Sequence, residues 1–159
     1  MKLSKLDANG HRSYLEARRG QSPQGRLVRA LLAEAVSRFG PEDVVLYLRS
    51  VGARLASDLP LPPAATLAEM QAAMNRELLT LDLGTAEVSA STTAIEIDHR
   101  YFPRRLGPDG QDSDAYIFSL LEGLYGAWFQ TVSGNDQLKA RFKGADGGAN
   151  PLAQFLVAV

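Results

Sequence analysis

Residues Tyr116 to Val132 form the longest apolar run in the chain, interrupted only by Ser119, Glu122, Gln130 and Thr131. Ile117, Leu120, Leu121, Leu124, Trp128 and Val132 recur at helical spacing. Tyr116, Phe118, Tyr125 and Phe129 carry the apolar character to the opposite side. A helix that is apolar nearly all round must be buried on more than one side. Gly123 and Gly126 lie within it, and each costs about 1 kcal/mol relative to Ala in a helix interior. Close approach by a neighbouring backbone compensates such a cost. The run therefore predicts a central helix, with both glycines marking contacts inside the subunit or across an interface.

The 159 residues suffice for one domain with a full core. A net charge of -1 gives no global basic field for nucleic acid. The first 38 residues differ: Lys2, Lys5, Arg12, Arg18, Arg19, Arg26, Arg29 and Arg38 face only Asp7, Glu16 and Glu34, a local excess of five positive charges. Residues 1–24 read as a basic extension and 25–159 as a single domain. The absence of cysteine excludes disulfides and thiolate metal sites. The N-terminus shows no apolar leader segment, and no run reaches the roughly 18 uninterrupted apolar residues of a membrane span. The expectation is a soluble, cytoplasmic chain without membrane insertion.

From Arg26 the pattern turns helical, with Leu27, Val28, Leu31, Leu32, Ala35, Val36 and Phe39 on one stripe. Gly40-Pro41 stops it and opens a second helix, with Val44, Tyr47, Leu48, Val51 and Leu55 on one face. Leu59-Pro60-Leu61-Pro62-Pro63 ends that helix. Thr66-Leu67-Ala68-Glu69 matches a capping box. It starts a third helix with Leu67, Met70, Met74, Leu78 and Leu81 buried, and Asn75, Arg76 and Glu77 on the wet side. The period then becomes two: Ala86, Val88 and Ala90, then Ile95 and Ile97, predict a hairpin. Residues 104–114 read as a loop, with Ser113 or Asp114 capping the central helix. Leu138, Ala140 and Phe142 predict a half-exposed strand, Gly144 to Pro151 a long turn, and Leu152 to Val159 a strand buried on both faces or paired across an interface. The fold class is α+β: three helices, a hairpin, a central helix and a second hairpin, with a four-stranded antiparallel sheet packed on helices.

No reacting constellation emerges. Gly144-Ala145-Asp146-Gly147-Gly148 lacks the Lys-Ser/Thr pair of a nucleotide loop and reads as a turn. His11 and His99 belong to no metal-spacing motif, and no cofactor is expected. His99 reads as a hydrogen-bonded structural histidine rather than a catalytic one. Glu122 is the acid of interest, because sugar hydrolysis needs two carboxylates, one raised in pKa. The alternatives are a buried ion pair or an interface. Trp128, Tyr125 and Phe129 suit sugar stacking, but at helical spacing they read as core. Lys139, Arg141 and Lys143 form a basic strand face, read as solvated.

Leu121-Glu122-Gly123-Leu124-Tyr125-Gly126-x-Trp128 resembles the signature of cellulose synthase operon protein D, the D-type accessory component of bacterial cellulose synthase. Leu48-Arg49-x-Val51-Gly52-x-Arg54-Leu55 is similar to that family's second helix, and Ile95-x-Ile97-x-His99-x-x-x-Pro103 to its strand before the loop. The resemblance covers roughly residues 30–159. It departs at Leu83-Gly84, where the family has Trp-Gly, and the basic extension has no counterpart. The resemblance implies a non-catalytic assembly factor: a ring-like octamer built from dimers, with passages for nascent β-1,4-glucan chains. Other cellulose synthase subunits and a proline-rich operon partner are implied as associates. A small-ligand or signalling domain, with an apolar pocket between the central helix and the hairpin, is the alternative.

Overall fold

The computed structural model describes residues 23–104, 106–107, 114–147 and 151–159. Most of the basic extension lies outside these residues, as does Ser113. Four helices and four strands follow in order: α1 (Pro23–Phe39), α2 (Pro41–Asp58), α3 (Leu67–Thr80), β1 (Thr85–Ala90), β2 (Ile95–Arg100), α4 (Ala115–Ser133), β3 (Lys139–Asp146) and β4 (Leu152–Ala158). The class is the expected α+β. Helix α1 starts three residues before Arg26, with Pro23 at its first position, where a missing N–H costs nothing. Gly40 separates α1 from α2 at φ +83°, a left-handed conformation that glycine adopts without strain.

The start of α3 uses a variant of the expected box. The Thr66 side chain accepts from the Glu69 N–H at 3.2 Å. The Glu69 carboxylate accepts from the Ala65 N–H at 2.8 Å, one residue before the amide of the standard arrangement. At α4, Asp114 occupies the cap position but makes no capping bond. Its backbone is already helical and its carboxylate meets Arg104 Nε at 3.4 Å instead.

The sheet is antiparallel throughout, in the order β1-β2-β4-β3. Ile97 lies opposite Val88 on one side and Phe155 on the other. Strand β3 runs on to Asp146, through the span expected to be a turn, because a register shift between Phe142 and Gly144 breaks the alternation. Strand β4 is central and paired on both edges. It buries Ala153, Phe155 and Val157 on one face, while Leu152, Gln154, Leu156 and Ala158 are only half-buried on the other. The expected burial on both faces is therefore half met, because among the described elements the helices pack on one side of the sheet.

Helix α4 lies between β3 and β4 on one side and α2 on the other. Leu121, Leu124 and Tyr125 are fully buried, and Trp128 nearly so. Helix α3 runs along β1 and adds Met70, Met74 and Leu78 to the same core. Helix α1 is the exception. Of its expected buried stripe only Leu32 is buried; Leu27, Val28, Leu31 and Phe39 are exposed, and so is Tyr47 on α2. Leu32, Val44, Leu48 and Tyr116 form a small separate cluster that anchors α1.

Candidate functional site

The second-helix motif and the central-helix motif, more than seventy residues apart in sequence, meet where α2 crosses α4. The crossing is set by two glycines. A Cβ placed on Gly52 would stand 1.9 Å from the Leu120 carbonyl oxygen, and one on Gly123 would stand 1.8 Å from the Arg49 carbonyl oxygen. Neither position admits any side chain, so the helix backbones touch. Gly126 does not follow this pattern. A Cβ there would lie 3.5 Å from Ala140 N, an ordinary contact. The expectation of a close backbone neighbour is met at Gly123 and fails at Gly126 within this chain, because β3 stands farther from α4 than α2 does.

Beside the crossing, Glu122 joins three elements. Its Oε2 accepts from Arg49 of α2, from Nη2 and from Nε, the latter at 3.0 Å. Its Oε1 accepts from the Phe142 N–H of β3 at 2.6 Å. Both carboxylate oxygens therefore accept from donors of this chain. The ion-pair alternative holds, and the arrangement is not that of a sugar-cleaving acid turned to a cleft. A trough of about 450 Å³ runs next to it, floored by Gly123, Gly126 and Ala127 and walled by Arg49, Lys139 and Arg141. None of its lining residues is aromatic.

A second buried group hangs from the same helix. His99 is fully buried on β2. Its Nε2 lies 2.8 Å from the Leu83 carbonyl, which can only accept, so Nε2 carries the proton. Nδ1 is then an acceptor, and the Tyr125 hydroxyl donates to it. Burial lowers the imidazole from 6.5 to about 4, with the Leu83 bond acting in the opposite sense. Burial likewise raises the Tyr125 phenol well above its ordinary range. Both groups are neutral, mutually satisfied and enclosed by Phe102, Trp128 and Phe155. This filling occupies the space between α4 and the first hairpin, where an apolar ligand pocket is the alternative expectation. Trp128 is buried, and its indole N–H donates to the Leu59 carbonyl at 2.9 Å, tying α4 to the end of α2.

The remaining motif residues disperse. Leu121, Leu124 and Leu55 pack in the core. Val51 turns toward α1 and lines the groove there. Arg54 is exposed and pairs with Asp58 at 3.3 Å on its own helix. Pro103 is half-buried, next to the buried Phe102. Two polar residues of α3 depart from what periodicity predicts. Asn75, expected on the wet side, exchanges two hydrogen bonds with Ala86 of β1: its Nδ2 donates to the carbonyl at 2.9 Å, and its Oδ1 accepts from the N–H at 2.7 Å. Gln71, one turn earlier, accepts from the Val88 N–H at 2.7 Å. Their one signal in the sequence is a pair of amides at helical spacing on the helix preceding an edge strand.

Among the described residues, no group of three or more His, Asp or Glu side chains is placed to hold a metal ion. No described helix is long and apolar enough to cross a membrane. The geometry at the crossing is that of a rigid joint between α2, α4 and the sheet.

The comparisons with known proteins agree with the motif. Residues 11–154 match the family model for the D-type component of cellulose synthase. Two proteins of Komagataeibacter xylinus named "Cellulose synthase operon protein D" are 30% and 33% identical to this chain over 89 residues. A protein of the same name from Komagataeibacter sucrofermentans is 29% identical over a stretch of the same length. Each alignment covers 55% of this chain and 56% of the relative, so the matched stretch spans a little over half the length of these relatives. With a family match over nine-tenths of its length, and with both motif helices meeting in one joint, the chain belongs to the cellulose synthase operon protein D family.

Proposed function

We propose that this protein is a non-catalytic accessory subunit of bacterial cellulose biosynthesis, a homo-oligomeric scaffold that organises synthase complexes and nascent glucan chains into ordered fibrils. The observation that carries the reading is the use of the family motif. Gly52, Arg49, Glu122, Gly123, Tyr125 and Trp128 all serve packing, capping or hydrogen bonding inside the fold. A chain whose most distinctive residues hold its own helices together is suited to assembly rather than turnover. Family membership supports the cellulose context. The proposed associates are a ring of its own copies, octameric in form, together with other synthase subunits, a proline-rich operon partner and β-1,4-glucan. The cytoplasm is the proposed compartment, to be checked by cell fractionation.

The test separates polymerisation from ordering. In cells lacking the gene, membranes should polymerise glucan at the parental rate per synthase while the secreted cellulose loses crystallinity. Purified protein should have a native mass several times 17.2 kDa by light scattering. Loss of polymerisation in the membranes, restored by the pure protein, would overturn the non-catalytic reading. A monomer at micromolar concentration would overturn the scaffold.

A further inference from the structure

Helix α1 is poorly paired with its own chain. It runs for 17 residues, yet Leu32 is its one buried side chain. Leu27, Val28, Leu31 and Phe39 are exposed on it, and Tyr47 is exposed on the facing side of α2. Between the two helices lies a groove of about 740 Å³, lined almost wholly by apolar side chains, with Asp43 at its Gly40 end. A contiguous exposed patch of this kind marks an interaction surface rather than ordinary scatter.

We infer that this groove is a two-fold interface between two copies of the chain, with α1 of each copy seated antiparallel against α1 and α2 of the other. The inference rests on the homo-oligomeric reading above and specifies the face that would carry it. The surface is self-complementary in charge as well as apolar. Arg26 and Arg29 stand at the N-terminal end of α1, whereas Glu42 and Asp43 begin α2 at the other end. A parallel arrangement would set like charges together. An antiparallel one brings the basic end of each copy to the acidic end of the other, and that relation is what a two-fold axis imposes. Leu31 is the midpoint of α1 and is exposed, so the axis passes close to it. Two adjoining helices about 26 Å long and about 10 Å wide present a face on the order of 500 Å² in projection. Corrugated by side chains, this approaches the roughly 800 Å² per partner of a stable interface.

The chain has no cysteine, so a single introduced thiol reports one position. Leu31→Cys is compared with Leu79→Cys, an exposed apolar residue on α3 away from the groove. On oxidation of the full-length protein, Leu31→Cys should give a covalent species of twice 17.2 kDa at several times the yield of Leu79→Cys. In parallel, Leu31→Asp should at least halve the native mass by light scattering with an unchanged circular dichroism spectrum, and Leu79→Asp should leave the mass unchanged. A monomeric parent protein overturns both this inference and the scaffold reading. An oligomeric parent whose mass survives Leu31→Asp, or equal cross-linking at both positions, overturns this interface alone. A Leu31 thiol shielded from alkylation in a monomer would show instead that residues 1–22 of the same chain cover the groove.

Discussion

At the residue scale, three glycines in one fold make different demands. Gly52 and Gly123 have no room for a methyl group, since each Cβ would overlap a backbone oxygen at under 2 Å. Flexible side chains give way cheaply, but two packed helix backbones do not. We predict that Gly52→Ala and Gly123→Ala each lower stability by about 2 kcal/mol in urea denaturation at fixed protein concentration. That loss comes despite the roughly 1 kcal/mol that Ala gains over Gly in a helix interior. Gly126→Ala should be neutral or stabilise by up to about 1 kcal/mol, because its Cβ meets Ala140 at ordinary contact distance. An equal penalty at all three positions would refute this ranking. His99 gives a pH signature. Its folded value of about 4 lies below the 6.5 of the free side chain, so the folded state disfavours the proton. Its contribution to stability is therefore full above pH 6.5, falls as the pH drops from 6.5 toward 4, and levels off below. The full decline is on the order of 3 kcal/mol. His99→Gln should flatten the part of this slope between pH 6.5 and 5, where few carboxylates titrate. A parental slope that persists in this variant would assign it elsewhere.

At the scale of elements, the sheet edges explain what is legible in the sequence and what is not. Edge strands carry unpaired backbone groups that invite association. Here helix side chains occupy both edges: Asn75 and Gln71 along β1, Glu122 and Gln130 along β3. Asn75 imitates a neighbouring strand by serving both polar groups of Ala86. We predict that Asn75→Ala costs about 2 kcal/mol, because it leaves a donor and an acceptor unsatisfied at a buried residue. Arg76→Ala beside it should cost only a few tenths, and equal effects would show that the edge bonds contribute nothing. Helical and strand periods, the proline stops and the Thr66 cap are readable because each depends on residues a few positions apart. Asn75 looks solvated in the sequence because its partner is backbone eleven residues away, which periodicity cannot see. Strand β3 looks too short for a related reason: the irregularity after Phe142 shifts the alternation by one, so that Gly144 to Asp146 resembles a turn. The stripe of α1 is apolar as its spacing predicts. Periodicity does not say which surface covers it, and its own chain leaves most of it bare.

At the scale of the whole molecule, α4 is the axle between two layers that otherwise have little in common. On the sheet side it contributes Tyr125 and Phe129 to the core, with Tyr125 hydrogen-bonded to His99; toward α2 it contributes Gly123 and the indole bond of Trp128 to Leu59. Glu122 reaches both layers with one side chain, to Arg49 on α2 and to the Phe142 amide on β3. If it fixes their relative position, the energies of its two ends must not simply add. Arg49 is half-exposed, so its ion pair is screened and worth little more than a surface pair, about 1 kcal/mol. A double-mutant cycle with Arg49→Met and Glu122→Gln should give a coupling of that size, weakening at high salt. Glu122→Gln keeps an acceptor for the Phe142 N–H, whereas Glu122→Leu removes it. The leucine variant should therefore lose about 1 kcal/mol more and should loosen β3, seen as faster amide exchange at Phe142 with β2 unaffected. Strict additivity in the cycle, together with equal exchange in both variants, would mean that the glycine crossing alone locks the layers and that Glu122 merely decorates it.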